Sequence, residues 1–193
     1  MPSQDRFEHV EVASADDLHG WLQEHHGQTQ AVWLVTWKKA VAGRYVPHEQ
    51  VMDELVAFGW IDGIRRSVDD ERTRQLISPR RTQPWARSYR QRAERLIAQG
   101  RMQPSGARGV ELARATGMWD AMEDVDDLVV PPDLAAALAA QPPAQEQFTG
   151  FPPSTRRNVL RWIASAKTEA TRGKRIGLTV SEAAEGRRVK SNG

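Results

Sequence analysis

The strongest constraint on this fold comes from two strand-like segments that follow each other with only a short acidic turn between them. These segments are WIDGIRRSVD at residues 60–69 and RTRQLISP at residues 72–79. Two β-rich runs joined by a polar turn predict a β-hairpin. The apolar run AVWLVTW at residues 31–37 has the length and composition of a further strand. In the hairpin, Ile61 and Ile64 break the two-residue alternation, which predicts a β-bulge at Gly63.

The rest of the chain has helical patterns. Ser14 precedes two acidic residues and predicts the N-cap of a first helix that ends near Gly27. A second helix is predicted to begin after Pro47 and to end at Gly59. From Ala86 onward the patterns are mostly helical, with a break expected near residues 168–171.

This order of elements predicts an α+β protein. A small β-sheet lobe with flanking helices would occupy residues 1–82, followed by a mostly helical lobe at residues 83–193. The lobes would join near residues 79–86, and ligands often bind at such junctions.

Composition excludes several classes of function. The chain has 193 residues, a net charge of +2 and no cysteine, so disulfides and thiolate chemistry are excluded. No apolar run is long enough for a membrane helix, and the N-terminal sequence lacks a secretory signal, so we expect a cytoplasmic protein without membrane partners. The adjacent His25 and His26 cannot bind one metal ion as an i,i+4 pair would. No nucleotide, metal or nucleophile motif is present, so no metal or cofactor is predicted.

Charge is unevenly distributed along the chain. Residues 61–110 contain 12 basic and 5 acidic side chains, whereas residues 111–150 contain 1 basic and 8 acidic side chains. A basic segment can bind nucleic acid, but no nucleic-acid motif accompanies this one, so nucleic acid is an unlikely partner.

The polar residues of the hairpin allow two interpretations. Trp60 and Asp62 are two residues apart, so on a strand their side chains share a face. Arginine offers a planar fork for carboxylate or phosphate groups, and both Arg66 and Arg80 lie near these residues in sequence. The hairpin is either a surface feature with weak Asp–Arg pairs or the lining of a ligand pocket.

The order of motifs resembles the YdeI/OmpD-associated family, whose members are often labelled bacteriocin-protection proteins. The matching segments extend over about residues 7–187, with an OmpD-associated type region at about 132–187. They include WLVTWKK, FGWIDGIRR, DDER, ERLI, GMW, PDLAAAL and WIASAK.

The resemblance implies that Asp62, Arg66, Asp69, Arg80 and Trp85 occupy motif positions in one short region, which favours the pocket interpretation. Relatives usually carry two hydroxyls and an amide where this chain has Gln83, Ala86 and Tyr89 around Trp85. This difference implies a larger or flatter ligand than that of typical members. The candidate ligand-binding residues are Trp60, Asp62, Arg66, Arg80, Trp85 and Tyr89.

Two hypotheses about function follow. In the first, the protein binds a small molecule or peptide in the cytoplasm and acts in antimicrobial tolerance or self-protection. In the second, it is a cofactor-independent enzyme of secondary metabolism, in which Asp62 or Asp69 is a general acid or base for isomerisation, cyclisation or hydrolysis. The sequence does not decide whether the protein is an enzyme.

Overall fold

A computed structural model describes residues 7–189 of the chain. These residues form an α+β fold that divides into two compact units, residues 7–120 and 121–189. The sequence analysis divided the chain after residue 82. The helices of residues 83–120 belong to the first unit because their apolar side chains Ala93, Leu96, Val110 and Ala113 pack into the core of its sheet.

The first unit contains a four-stranded sheet and four helices of ten to twelve residues. Its elements are β1 (His9–Glu11), α1 (Ala15–His25), β2 (Val32–Trp37), α2 (His48–Ala57), β3 (Trp60–Ser67), β4 (Arg72–Pro79), α3 (Arg87–Ala98) and α4 (Pro104–Ala115). The strand order is β1-β2-β4-β3, in which β1 and β2 are parallel and the other pairs are antiparallel. The predicted hairpin is confirmed as β3 and β4, and the predicted strand at residues 31–37 is confirmed as β2. The three-residue β1 was not predicted.

The predicted helix ends in the first unit are also confirmed. The Ser14 hydroxyl accepts a hydrogen bond from the Asp17 backbone N–H at 3.0 Å and caps α1. Gly59 has a φ of +78° directly after α2, a conformation that glycine adopts without the strain that a side chain would cause.

The second unit is helical. It contains α5 (Glu123–Asp126), α6 (Pro132–Ala139), α7 (Pro142–Gly150), α8 (Pro153–Ala164) and α9 (Glu169–Ala184). Its separate core is built around Leu134, Phe148, Leu160 and Ile163. The predicted break lies between α8 and α9, where the Thr168 hydroxyl accepts a hydrogen bond from the Thr171 N–H and starts the last helix.

The start of α4 packs very closely on the end of α2. The Gln103 N–H donates to the Ala57 carbonyl at 3.1 Å. A Cβ atom added to Gly106 would lie 2.1 Å from that carbonyl oxygen and 2.7 Å from the Met102 sulfur. Only glycine at residue 106 therefore permits this contact.

We predict that Gly106→Ala destabilises the first unit, because the new methyl group forces α4 away from a backbone carbonyl. Overpacking of this kind costs about 1–3 kcal/mol or more. Urea unfolding measures the change. Gly109→Ala is the matched control in the same helix, since nothing lies within 4 Å of its added Cβ. That control should gain about 0.5–1 kcal/mol, and equal behaviour of the two variants would contradict the prediction.

Candidate functional site

Asp62 is at the centre of a group of side chains that we call the Asp62 cluster: Asp62, Gln75, Arg80, Trp85 and Tyr89. Asp62 lies near the start of β3 and Arg80 directly after β4, while Trp85 and Tyr89 flank the start of α3. Two backbone hydrogen bonds of 2.9 Å fix the connecting loop, from the Arg80 N–H to the Gly59 carbonyl and from the Trp85 N–H to the Met118 carbonyl.

Both carboxylate oxygens of Asp62 accept hydrogen bonds. The Tyr89 hydroxyl donates to Oδ1, and Gln75 Nε2 donates to Oδ2 at 2.7 Å. Gln75 is buried, and its own Oε1 accepts from Arg65 Nη2 at 3.0 Å. The carboxylate is therefore held in one orientation by neighbours from β4 and α3.

The Arg80 guanidinium packs against two aromatic rings. Its central carbon is 4.2 Å from the centre of the Trp85 ring and 4.6 Å from that of Tyr89. Its Nη1 also donates to the backbone carbonyls of Gln83 and Pro84 at 3.2 and 3.3 Å. Cation–π contacts stabilise a cation more strongly when water is excluded. These contacts hold a positive charge in a largely enclosed position.

Burial shifts the pKa of two members of this cluster. It lowers the pKa of Arg80, against the opposing influence of Tyr89 and Asp62. It also raises the pKa of Tyr89, and the hydrogen bond to Asp62 raises it further because a second negative charge there is unfavourable. Tyr89 is therefore a neutral hydrogen-bond donor to Asp62 at physiological pH.

An apolar hollow lies beside Trp85. Its volume is about 180 Å³. The apolar part of its wall is formed by Trp85, Leu112, Ala113 and Met118, and the polar part by Arg81, Thr82, Gln83 and Thr116. Trp85 is only 2% exposed and also packs on Trp119, with ring centres 5.1 Å apart. This side of the hollow is therefore preformed.

The structure places the other predicted site residues elsewhere. Trp60 is buried in the core, where its ring meets Trp21 edge to face at 5.5 Å. Asp69 lies in the exposed turn at the far end of the hairpin, where its carboxylate accepts hydrogen bonds from the Glu71 N–H, the Arg72 N–H and the Arg72 guanidinium. Asp69 thus stabilises the turn.

Arg66 is separated from Asp62 by the predicted bulge, which the structure confirms. The β3–β4 register shifts between Asp62 and Arg65. Asp62 pairs with the core residue Ile77, whereas Arg66 pairs with Arg74. These two partners, Ile77 and Arg74, are three residues apart on β4 and therefore face opposite ways. Arg66 consequently lies on the sheet face opposite to that of Asp62.

Sequence reasoning missed a second charged group, on α2. The Asp53 carboxylate accepts hydrogen bonds from Arg92, from Arg95 at 2.6 and 3.1 Å, and from Arg101 at 3.4 Å. The side chain of Asp53 is 11% exposed. Glu54 beside it accepts from Arg101 at 3.0 Å and contacts His19 at 2.7 Å.

A sequence signal for this group was present. Asp53 and Glu54 stand between apolar residues in the middle of α2, where unpaired acids are costly. Arg92 and Arg95 are three residues apart and therefore share a face of α3. Burial raises the pKa of Asp53, but hydrogen bonds from Arg95 and Arg92 outweigh it and lower the pKa below its usual value of 3.8.

The parts of the chain described by the structure contain no group of three or more His, Cys, Asp or Glu side chains placed to hold a metal ion. Within the same residues, no helix is both long and apolar enough to cross a bilayer.

The fold and cluster together define an α+β unit with a half-buried carboxylate–phenol–guanidinium group, followed by a helical unit. The chain belongs to the family described as a domain of unknown function (DUF8412), whose sequence model matches residues 10–109. Residues 127–186 match a second family, described as bacteriocin-protection, YdeI or OmpD-associated. The resemblance drawn from the sequence motifs is thus confirmed in the helical unit. No curated protein and no solved structure matched the chain.

We predict that Asp53→Asn lowers the free energy of unfolding at neutral pH by about 3 kcal/mol, because it leaves arginines facing a neutral amide. A carboxylate with a lowered pKa stabilises the fold above its unfolded pKa, and this contribution is lost as pH falls through the folded pKa. The difference between wild type and variant should therefore shrink below pH 3.8. Urea unfolding at neutral pH and at about pH 3 measures it.

Glu49→Gln is the matched control, since the Glu49 side chain is 76% exposed and contacts only one of the same arginines, Arg92. It should have a much smaller effect. An Asp53→Asn variant as stable as wild type would show that the arginines gain nothing from this carboxylate.

We predict that Tyr89 ionises well above the usual phenol value of 10.0. The chain has two tyrosines, so a Tyr45→Phe background leaves Tyr89 as the single phenol, and phenolate absorbance follows its titration. Adding Asp62→Asn should move the midpoint down, because it removes the negative charge beside the phenol. A midpoint that does not respond to Asp62→Asn would show that the hydrogen bond does not form in solution.

Proposed function

We propose that this protein binds a small molecule or a peptide side chain in the hollow beside Trp85, and that it acts in antimicrobial tolerance or self-protection. The observation that carries the proposal is the hollow itself, an apolar recess with a preformed tryptophan wall and a polar rim. Ligand sites typically combine such apolar walls with a few fixed polar groups. The match of residues 127–186 to the bacteriocin-protection description supports the biological role. A cytoplasmic location remains part of the prediction.

The size of the hollow limits the group that enters it. An engineered apolar cavity of about 150 Å³ holds benzene, so a hollow of about 180 Å³ accommodates one aromatic ring or one branched aliphatic side chain. Any larger ligand would extend past the rim. The proposed ligand therefore has a single compact apolar group that anchors it.

The charge around the hollow favours an acidic ligand. Arg81 lies on the rim, and its Nη2 donates only to the Thr29 carbonyl among the hydrogen bonds found in residues 7–189. Arg80, which packs on the Trp85 ring, is a second cation close to the hollow, and Asp62 partly offsets its charge. A carboxylate on the anchoring group would be attracted by both arginines.

The catalytic alternative rests on the hydrogen bond between Asp62 and Tyr89 beside the half-buried Arg80. A general acid–base pair of this kind suits proton transfer. We rank catalysis below binding because both Asp62 oxygens already accept hydrogen bonds, from Tyr89 and Gln75. Under the binding proposal, Asp62→Asn leaves ligand affinity largely unchanged and there is no turnover to lose. If the ligand is consumed and this variant stops its consumption, the catalytic alternative holds.

The test is a titration of the full chain with benzoate, indole and benzylamine, followed by the Met118 methyl resonance. The chain has five methionines, so a methyl-labelled sample gives a simple spectrum. We expect saturable shifts at Met118 in the order benzoate, indole, benzylamine, because the basic rim favours the anion. The affinities of such small probes are in the millimolar range, about −4 kcal/mol.

Leu112→Glu should abolish benzoate binding by placing a carboxylate in the wall. Its matched control is Ile97→Glu, since Leu112 and Ile97 are similarly exposed, at 54% and 45%, but only Leu112 lines the hollow. If none of the probes shifts Met118, or if the two variants bind equally, the hollow is not a binding site. Native mass spectrometry of protein purified from its producing cells would then identify a ligand bound elsewhere.

A further inference from the structure

The second unit has a hollow of its own, with a volume of about 240 Å³. Its larger apolar lining residues are Val125, Val129, Pro131, Pro132, Leu160 and Ile163, and Ala121 and Ala164 complete the apolar wall. It is larger than the about 150 Å³ that holds a benzene molecule, and it is open to solvent on one side, where Val129 is 50% exposed. One leucine, isoleucine or phenylalanine side chain would fill it.

A strained turn precedes Val129, a residue that lines this hollow. Leu128 has a φ of 61°, a left-handed conformation that costs a leucine free energy and persists only where other contacts compensate. Its side chain packs against the core of the second unit. The turn therefore holds Val129 at the rim of the hollow and out of the core.

The rim of the hollow has one cation and one anion, and only the anion is available. Arg172 is already paired, because its Nε and Nη2 donate to the two Asp133 oxygens at 2.6 and 2.8 Å. Asp124 is exposed, and its carboxylate has no hydrogen bond or ion pair within residues 7–189.

This combination of an apolar recess and an unpaired negative rim selects its occupant by charge complementarity. A peptide that presents a bulky apolar side chain beside lysine or arginine would bury the apolar group and bring its cation to Asp124. An acidic peptide would meet repulsion at the same place. We propose that the hollow of the second unit is a docking site for a cationic peptide segment anchored by one large apolar side chain.

This site is independent of the hollow beside Trp85, and the two sites differ in the charge that they select. Every residue that lines the hollow of the second unit belongs to that unit. If benzoate does not shift the Met118 resonance, the proposal for the second unit is therefore unaffected. If cationic peptides do not bind to the second unit, the proposed function of the hollow beside Trp85 is unaffected.

The test is a titration of the full chain with three capped tripeptides, Lys-Leu-Lys, Glu-Leu-Glu and Lys-Ser-Lys, followed by the methyl resonances of Val125, Leu160 and Ile163. We expect Lys-Leu-Lys to bind in the millimolar range. Glu-Leu-Glu should bind more weakly because of charge, and Lys-Ser-Lys at least about tenfold more weakly because it buries no apolar side chain. Added salt should weaken the binding of Lys-Leu-Lys.

Two variants test the two halves of the recognition. Ala164→Phe fills the hollow from an exposed position at the end of α8 and should abolish binding, whereas the matched control Ala139→Phe, on α6 and outside the lining, should not. Asp124→Asn keeps the hollow and should weaken Lys-Leu-Lys about two- to fivefold, the usual value of one exposed ion pair. Glu146→Gln, an exposed acid on α7 and outside the lining, is the control for charge.

The proposal is overturned if Lys-Leu-Lys and Glu-Leu-Glu bind equally, if Ala164→Phe binds as wild type does, or if no tripeptide gives saturable shifts. Because Asp124→Asn changes only an exposed side chain, its result does not depend on whether Ala164→Phe folds.

Discussion

The contact between α2 and α3 determines the position of the candidate site in the first unit. Asp53 on α2 accepts hydrogen bonds from Arg92 and Arg95 on α3, so the two helices are joined by charged groups as well as by apolar packing. A carboxylate this well buried cannot lose its partners without a large cost. Since Trp85 and Tyr89 lie at the start of α3, this contact keeps both rings against β3 and β4.

The Asp62 cluster is a network in which each polar group has a fixed partner. Tyr89 and Gln75 hold the carboxylate, and two aromatic rings hold the Arg80 guanidinium. Such a network is costly to rearrange, because a buried polar group without a partner loses its hydration and gains nothing in return. Its physical role is to keep Trp85 rigid and a positive charge near it. Both features support the proposed binding of an anionic ligand in the neighbouring hollow.

Each unit has a recess, of about 180 Å³ in the first and about 240 Å³ in the second, and the two proposals assign them opposite charge preferences. Arg81 is on the rim of the first, and the unpaired Asp124 is on the rim of the second. Apolar burial supplies most of the binding energy in either case, and the charge of the rim decides between ligands. Under the two proposals, the protein recognises two chemically different ligands, one at each recess.

Local sequence patterns determined the elements and the class of this fold. The acidic turn and the β-rich segments around it specified the hairpin, Gly63 indicated the bulge, and Ser14, Gly59 and the Thr168 region marked helix ends, because each of these signals acts over only a few residues of backbone. The motifs likewise indicated the YdeI/OmpD-associated region. Tertiary structure decided the sites: the bulge turned Arg66 to the face opposite Asp62, and packing buried Trp60. Contacts distant in sequence brought Gln75 and Tyr89 to Asp62 and paired Asp53 with three arginines. Such contacts depend on strand register and helix packing, which are fixed by the whole core and not by any one segment.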